Sequence, residues 1–128
     1  MAERIRIGMS GYAGLLLNIL ADQEDAEVAA ICGRTWARAA ALAAEHQIDQ
    51  VFTDYRDMFK HGRLDGIIVA SPDDLHHEMT MAALDAGLHV LCEKPMAINV
   101  GQAQQMLEAA ERAGVKHMIE FSWRWIPH

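Results

Sequence analysis

The residues whose types and spacing best suit chemistry stand together at Cys92-Glu93-Lys94-Pro95, where an acid, a base and a proline close the apolar run Val90-Leu91-Cys92. A continuous apolar run ending in charged residues marks the carboxyl end of a buried parallel strand, and in open α/β sheets that edge binds ligands. Pro95 stiffens the place by fixing its own φ and turning Lys94 away from helix. A second polar group, Ser71-Pro72-Asp73-Asp74-Leu75-His76, closes the run Ile67-Ile68-Val69-Ala70 in the same way.

A third stretch is suited to phosphate. Gly8-Met9-Ser10-Gly11-Tyr12-Ala13-Gly14 lies between an alternating strand pattern at Ile5 and Ile7 and the apolar helix Leu15-Leu16-Leu17-Asn18-Ile19-Leu20. Glycines there permit a tight turn and close backbone approach, and the helix N-terminus offers free N–H groups to an anion. The spacing is G-x-x-G-x-x-G rather than G-x-G-x-x-G. If Gly11 opens the turn, Ala13 and Leu16 take the second and third positions; if Gly8 opens it, the preceding strand is short.

The run Val28-Ala29-Ala30-Ile31-Cys32 ends in Gly33-Arg34-Thr35. In a dinucleotide fold this strand end meets the adenosine ribose, where an acid binds a 2′-hydroxyl and an arginine accommodates a 2′-phosphate. Here the acid is absent and Arg34 is present, with Thr35 beside it, so NADP is favoured over NAD.

The elements that must hold these groups follow from the pattern of the rest. With 128 residues, 52% of them apolar and 23% charged, the chain is long enough for one domain with a core. A net charge of −7 argues against nucleic acid as a partner. No leader-like apolar segment follows Met1, and no stretch is long enough to span a bilayer, so a cytoplasmic location is the default expectation and no membrane is expected as a partner. Cys32 and Cys92 read as small buried residues rather than disulfide halves. No metal site is expected, because the adjacent His76 and His77 point about 100° apart on a helix.

Strand patterns over about residues 3–9, 28–32, 51–53, 67–70, 90–92 and 117–121 alternate with helical ones. The helix over 36–46 has Ala37, Ala40, Ala41 and Ala44 at helical spacing. Asp73 or Asp74 is a natural N-cap for a helix with Leu75, Met79, Ala82, Ala83 and Ala86 on its apolar face, stopped at Gly87. Asn99 with Gln102 starts a last helix, with Ala103, Met106, Leu107 and Ala110 on one face and Gly114 at its end. Alternation of this kind predicts a doubly wound parallel sheet of about six strands with helices on both faces, a three-layer α/β/α fold. Trp123 and Trp125 then trail off the sheet with nothing after them to bury them.

Taken together, Ser71-Pro72 with His76, "LHVLCEKPMA" around Glu93-Lys94-Pro95, and the closing strand with Trp123-Arg124 resemble the Gfo/Idh/MocA oxidoreductases, the relatives of glucose-fructose oxidoreductase and inositol dehydrogenase. The resemblance covers essentially the whole chain but only the N-terminal part of a family enzyme. It implies an NAD(P)-binding Rossmann domain over residues 1–122, with residues 123–128 starting the connection to a C-terminal substrate domain absent from this chain. It implies hydride transfer between nicotinamide and a hydroxyl-bearing carbon of a sugar, polyol or related small molecule. Ser71, Pro72 and His76 would line the cofactor crevice, Glu93 would sit by the nicotinamide ribose, and Arg124 would lie near the nicotinamide or its phosphates. Lys94 would be catalytic, bonding and polarising the substrate hydroxyl, with a histidine of the absent domain as acid/base. The Lys94–Pro95 bond is often cis in the family. The resemblance does not give the oligomeric state; the tail tryptophans predict self-association of the isolated domain, and a homo-oligomer is one option for the full-length form.

Two rival readings stand beside this one. The loop from Gly8 to Gly14 looks like the G-x-S-G-Y-x-G of N-acetyl-glutamyl-phosphate reductases, an acyl-phosphate type of NADP reductase that would need Cys92 as nucleophile. The other is a nucleotide-binding module without chemistry.

Overall fold

Strands buried on both faces need apolar residues at every position, and the apolar runs of this chain form one parallel sheet. The computed structural model describes residues 3–11 and 14–127. Within them the strands are β1 (Ile5–Gly11), β2 (Ala26–Cys32), β3 (Gln50–Phe52), β4 (Gly66–Ala70), β5 (His89–Glu93) and β6 (His117–Glu120). The helices are α1 (Gly14–Ala21), α2 (Trp36–Glu45), α3 (Tyr55–His61), α4 (His76–Asp85) and α5 (Val100–Ala113). The strand order is β3-β2-β1-β4-β5-β6, with every neighbouring pair parallel.

Alternation along each strand divides the core into two layers. Met9, Ile31 and Ile68 face one side, where Leu17 of α1 and Ala39 and Ala43 of α2 cover them. Ala30, Cys32, Ile67, Val69, Val90 and Cys92 face the other, against Tyr55 and Met58 of α3, Met79 and Ala83 of α4, and Ala109 and Ala110 of α5. The doubly wound three-layer architecture is therefore present.

Several local expectations are corrected. The packed face of α2 is Ala39 and Ala43, while Ala37, Ala41 and Ala44 are exposed; a run of alanines satisfies more than one helical face, so spacing alone does not choose between them. Leu107 on α5 is 53% exposed, and Ala109 takes its place beside Met106 and Ala110. Asp73 and Asp74 do not cap α4. They form a 3-10 turn over Asp73–Leu75, closed by the Leu75 N–H donating to the Pro72 carbonyl at 2.9 Å. Asn99 does cap α5, its Oδ1 accepting from the Gln102 N–H at 2.9 Å.

β1 also runs two residues beyond the expected strand and takes in part of the glycine stretch. Gly8 is a strand residue at a register shift against β2. A Cβ there would lie 2.5 Å from Leu64 Cδ1 and 3.2 Å from Ile67 Cδ1, so its missing side chain makes room for the core. Gly11, the last residue of β1, has φ +95°, and a Cβ on it would fall onto the Ala70 carbonyl of β4.

Gly11→Ala therefore meets two costs, a left-handed backbone and an immovable carbonyl, and should lose at least about 3 kcal/mol or fail to fold. Gly87→Ala, at φ +75° but with nothing within 4 Å of the added carbon, should lose only about 1 kcal/mol. Urea unfolding of the two variants separates the contributions; equal losses would assign no weight to the Ala70 contact.

Candidate functional site

Because all six strands are parallel, the groups that follow them gather along one edge of the sheet. β1 delivers Gly11 there, β2 delivers Arg34 and Thr35, β4 delivers Ser71 and Pro72, β5 delivers Glu93 and Lys94, and β6 leads to Arg124. From β1 the chain winds towards β2 and β3, and from β4 it winds towards β5 and β6. Adjacent strands whose connections leave in opposite directions open a crevice at their carboxyl ends.

Gly11 lies at this switch point against Ala70 and the Ser71 amide. Its positive φ at the strand end makes the turn that Gly8, inside β1, does not. α1 begins at Gly14 with no acidic residue in its first turn, so nothing there opposes an anion at its N-terminus. Tyr12 and Ala13, the other residues expected around that anion, lie outside the described residues. Ser10 is corrected along with Gly8: it is 2% exposed, and its Oγ donates to Met79 Sδ at 3.4 Å, tying β1 to α4.

At the end of β2 the Gly33 N–H donates to the Phe52 carbonyl at 3.0 Å, holding β2 to β3 up to the edge. Arg34 and Thr35 follow it, both exposed, with Thr35 immediately before α2. Among the described residues Arg34 has no ion-pair partner, and its guanidinium is available to an anionic ligand.

The largest departure is at His76. The ring expected to line the crevice is 1% exposed, and both its nitrogens face main-chain carbonyls: Nδ1 lies 2.7 Å from the Pro95 oxygen and Nε2 2.9 Å from the Ser71 oxygen. Its role is to join the turn after β4 to the turn after β5. The Lys94–Pro95 bond is cis. The Lys94 N–H donates to Glu93 Oε2 at 3.2 Å, while the Lys94 side chain is exposed and unpaired among the described residues. Ser71 is half-buried, and its Oγ has no hydrogen-bond partner among the described residues. An exposed ammonium and a half-buried carboxylate on one rim suit a polar ligand with hydroxyl groups.

The sequence reading missed Glu120, which stands beside Glu93 in the β5–β6 register. Its only signal was its place, as an acid closing an apolar strand just as Glu93 does. Cys92 is fully buried, with its thiol donating to the Glu93 carbonyl at 3.3 Å, and burial pushes it up to about 11. Cys32 is likewise buried and raised to about 11, first by burial and then by the Asp54 charge. Neither thiol is placed or ionised to act as a nucleophile. A recess of about 600 Å³ lined by Glu3, Arg6, His61 and Arg63 opens at the opposite, amino edge of the sheet and holds none of the candidate residues.

The Gfo/Idh/MocA family model, an oxidoreductase family with an NAD-binding Rossmann fold, matches residues 5–121. The scyllo-inositol 2-dehydrogenase (NADP(+)) of Bacillus subtilis is 34% identical over 122 residues, which is 95% of this chain and 37% of that protein. The D-xylose 1-dehydrogenase (NADP(+)) 2 of Haloferax volcanii is 35% identical over 123 residues, 94% of this chain and 38% of its own. Among solved structures, scyllo-inositol dehydrogenase from Lactobacillus casei with bound NAD(H) and scyllo-inositol superposes with a TM-score of 0.90 at 25% identity, covering 97% of this chain and 38% of that one. The chain thus spans a little over a third of the length of these relatives. With a switch-point crevice, the Ser-Pro and Glu-Lys-Pro turns on its rim, and a match over residues 5–121, the chain belongs to the Gfo/Idh/MocA oxidoreductase family.

Proposed function

We propose that this chain is the cofactor-binding part of an NAD(P)-dependent oxidoreductase that moves a hydride between nicotinamide and a hydroxyl-bearing carbon of a sugar, polyol or related small molecule. The observation that carries the reading is the β1–β4 switch point, where Gly11 brings the end of β1 against Ala70 and Lys94 stands free on the same rim. The residues present fit a dinucleotide. The N-terminus of α1, free of acidic side chains, takes the pyrophosphate, with the exposed Pro72 turn beside it at the end of β4.

NADP is the preferred cofactor and NAD the alternative. Arg34 and Thr35 at the end of β2 would hold the 2′-phosphate where an acid would otherwise hold a ribose hydroxyl. Two of the relatives carry NADP(+) in their names, while the Lactobacillus casei structure holds NAD(H). When bound, the nicotinamide supplies the hydride chemistry. Glu93 would bond the neighbouring ribose, Lys94 Nζ would donate to the substrate oxygen and stabilise the negative charge that develops there, and Arg124 would lie near the nicotinamide or its phosphates. Residues 1–122 form the cofactor domain and residues 123–128 lead towards a substrate domain. The rest of a relative's length would supply the pocket and a proton-transferring histidine. The exposed Met118, Phe121, Trp123 and Trp125 along the β6 edge suit burial in a full-length homo-oligomeric enzyme. The acyl-phosphate reading has no support here, since its nucleophile would be the buried Cys92.

Calorimetric titration should show NADPH binding more tightly than NADH, and Arg34→Ala should cost about tenfold in NADPH affinity with little change for NADH; tighter NADH binding would overturn the role of Arg34, and binding of neither would overturn the cofactor assignment. In an enzyme carrying both parts, Lys94→Ala should lower kcat by roughly a hundredfold or more while cofactor affinity stays within about threefold; unchanged turnover would remove Lys94 from catalysis. A thiol reagent should leave Cys32 and Cys92 unlabelled in the native protein and label both in urea; native labelling of Cys92 would revive the acyl-transfer reading.

A further inference from the structure

Parallel pairing of β5 with β6 sets Glu93 against Glu120, each the last residue of its strand. Residues in register share a face of the sheet, so the two carboxyls stand side by side. Glu120 is half-buried, and its Oε2 is buried without a hydrogen-bond partner among the described residues. A buried carboxylate oxygen next to a second carboxylate is unfavourable unless one of the two carries a proton.

The surrounding charges do not relieve the pair. Lys94 directly follows Glu93 and Arg124 lies in the turn after Glu120, yet among the described residues neither forms an ion pair with them. His117, at the start of β6, belongs to the opposite alternation set of its strand, and α1, packed on the Glu93 face of the sheet, carries no charged residue. Glu93 already spends Oε2 on the Lys94 N–H. What remains for Glu120 is to donate to Glu93.

We propose that Glu93 and Glu120 hold one proton between them, and that Glu120 is the positioning residue for Glu93 at the cofactor edge. The positioning half rests on the cofactor reading above; the shared proton does not. Burial, then the Glu93 charge, then the hydrogen bond to Glu93 push Glu120 above the ordinary carboxyl range. The folded chain therefore holds this proton to higher pH than the unfolded chain does. The stability it confers is present at low pH and fades as pH rises through the raised value. With the proton in place the pair carries a single negative charge where an anionic dinucleotide must approach; without it the pair carries two.

The test uses this chain throughout. Carboxyl carbon NMR should show Glu120 titrating above the ordinary carboxyl range; a Glu120 titration inside the ordinary range would overturn the shared proton. NADH serves as the binding probe, because the 2′-phosphate of NADPH itself titrates near about pH 6. NADH affinity should fall roughly three- to tenfold between about pH 5 and about pH 8. Glu120→Gln, which keeps a donor and cannot ionise, should flatten that slope and the matching limb of the stability profile while holding the low-pH affinity. The same slope in wild type and variant would overturn the positioning role. Binding of neither NADH nor NADPH at any pH would overturn that role together with the cofactor reading, while the NMR titration decides the shared proton by itself, even where the variant fails to fold.

Discussion

The contact on which the rest depends is between the end of β1 and the end of β4. Gly11 turns at φ +95° with its Cα against the Ala70 carbonyl and the Ser71 amide, an approach that only a residue without a Cβ can make. It lets the two central strands stay paired to their last residues, Gly11 opposite Ala70, before the chain departs in opposite directions. The direction of α1, the floor of the crevice and the distance from the glycine turn to the Ser71 turn all follow from it. A bulkier residue would part the strands at the place where the sheet has to be both closed and open to ligand.

Outward from that pair the two faces of the sheet are unequal. α3, α4 and α5 cover one face across to β5, whereas α1 and α2 cover the other mainly over β1, β2 and β3. On that second face Leu91 is half-buried and Met118 is 54% exposed. Glu93 and Glu120 close the same rows, so the carboxyl pair sits at the margin between a covered core and an open apolar strip. Half-burial of this kind is enough to disfavour two ionised carboxylates without sealing them from solvent.

Much of the fold was legible because parallel strands buried on both faces leave unbroken apolar runs, and because Asn99 and Gly114 punctuate α5 where local chemistry requires it. The rim residues were legible for the same reason, since polar groups that interrupt such runs fall at strand ends. What stayed hidden depended on partners distant in sequence. His76 reads as a polar residue in a first helical turn, and only the return of the chain at Pro95 gives its ring a second carbonyl. Gly8 reads as part of a loop until Leu64 and Ile67 are seen to fill the space beside it. Ala39 and Ala43 could not be separated from Ala37 and Ala41, because alanine carries too little apolar surface to declare a face. Glu120 acquires meaning only from its neighbour across the ladder.

The two carbonyls on His76 have a further consequence for how this edge can change. The ring is a rivet between two turns, with Nε2 against the Ser71 carbonyl on one side and Nδ1 against the Pro95 carbonyl, nineteen residues beyond the histidine, on the other. If either turn drifts, lengthens or is exchanged alone, the buried ring loses a carbonyl it packs against, and where that carbonyl accepts the ring N–H a polar pair is left unsatisfied in a dry interior. Swapping either segment for that of a relative would therefore succeed only when both travel together with the histidine. In engineering terms, the Ser-Pro turn and the Glu-Lys-Pro turn are one inherited part.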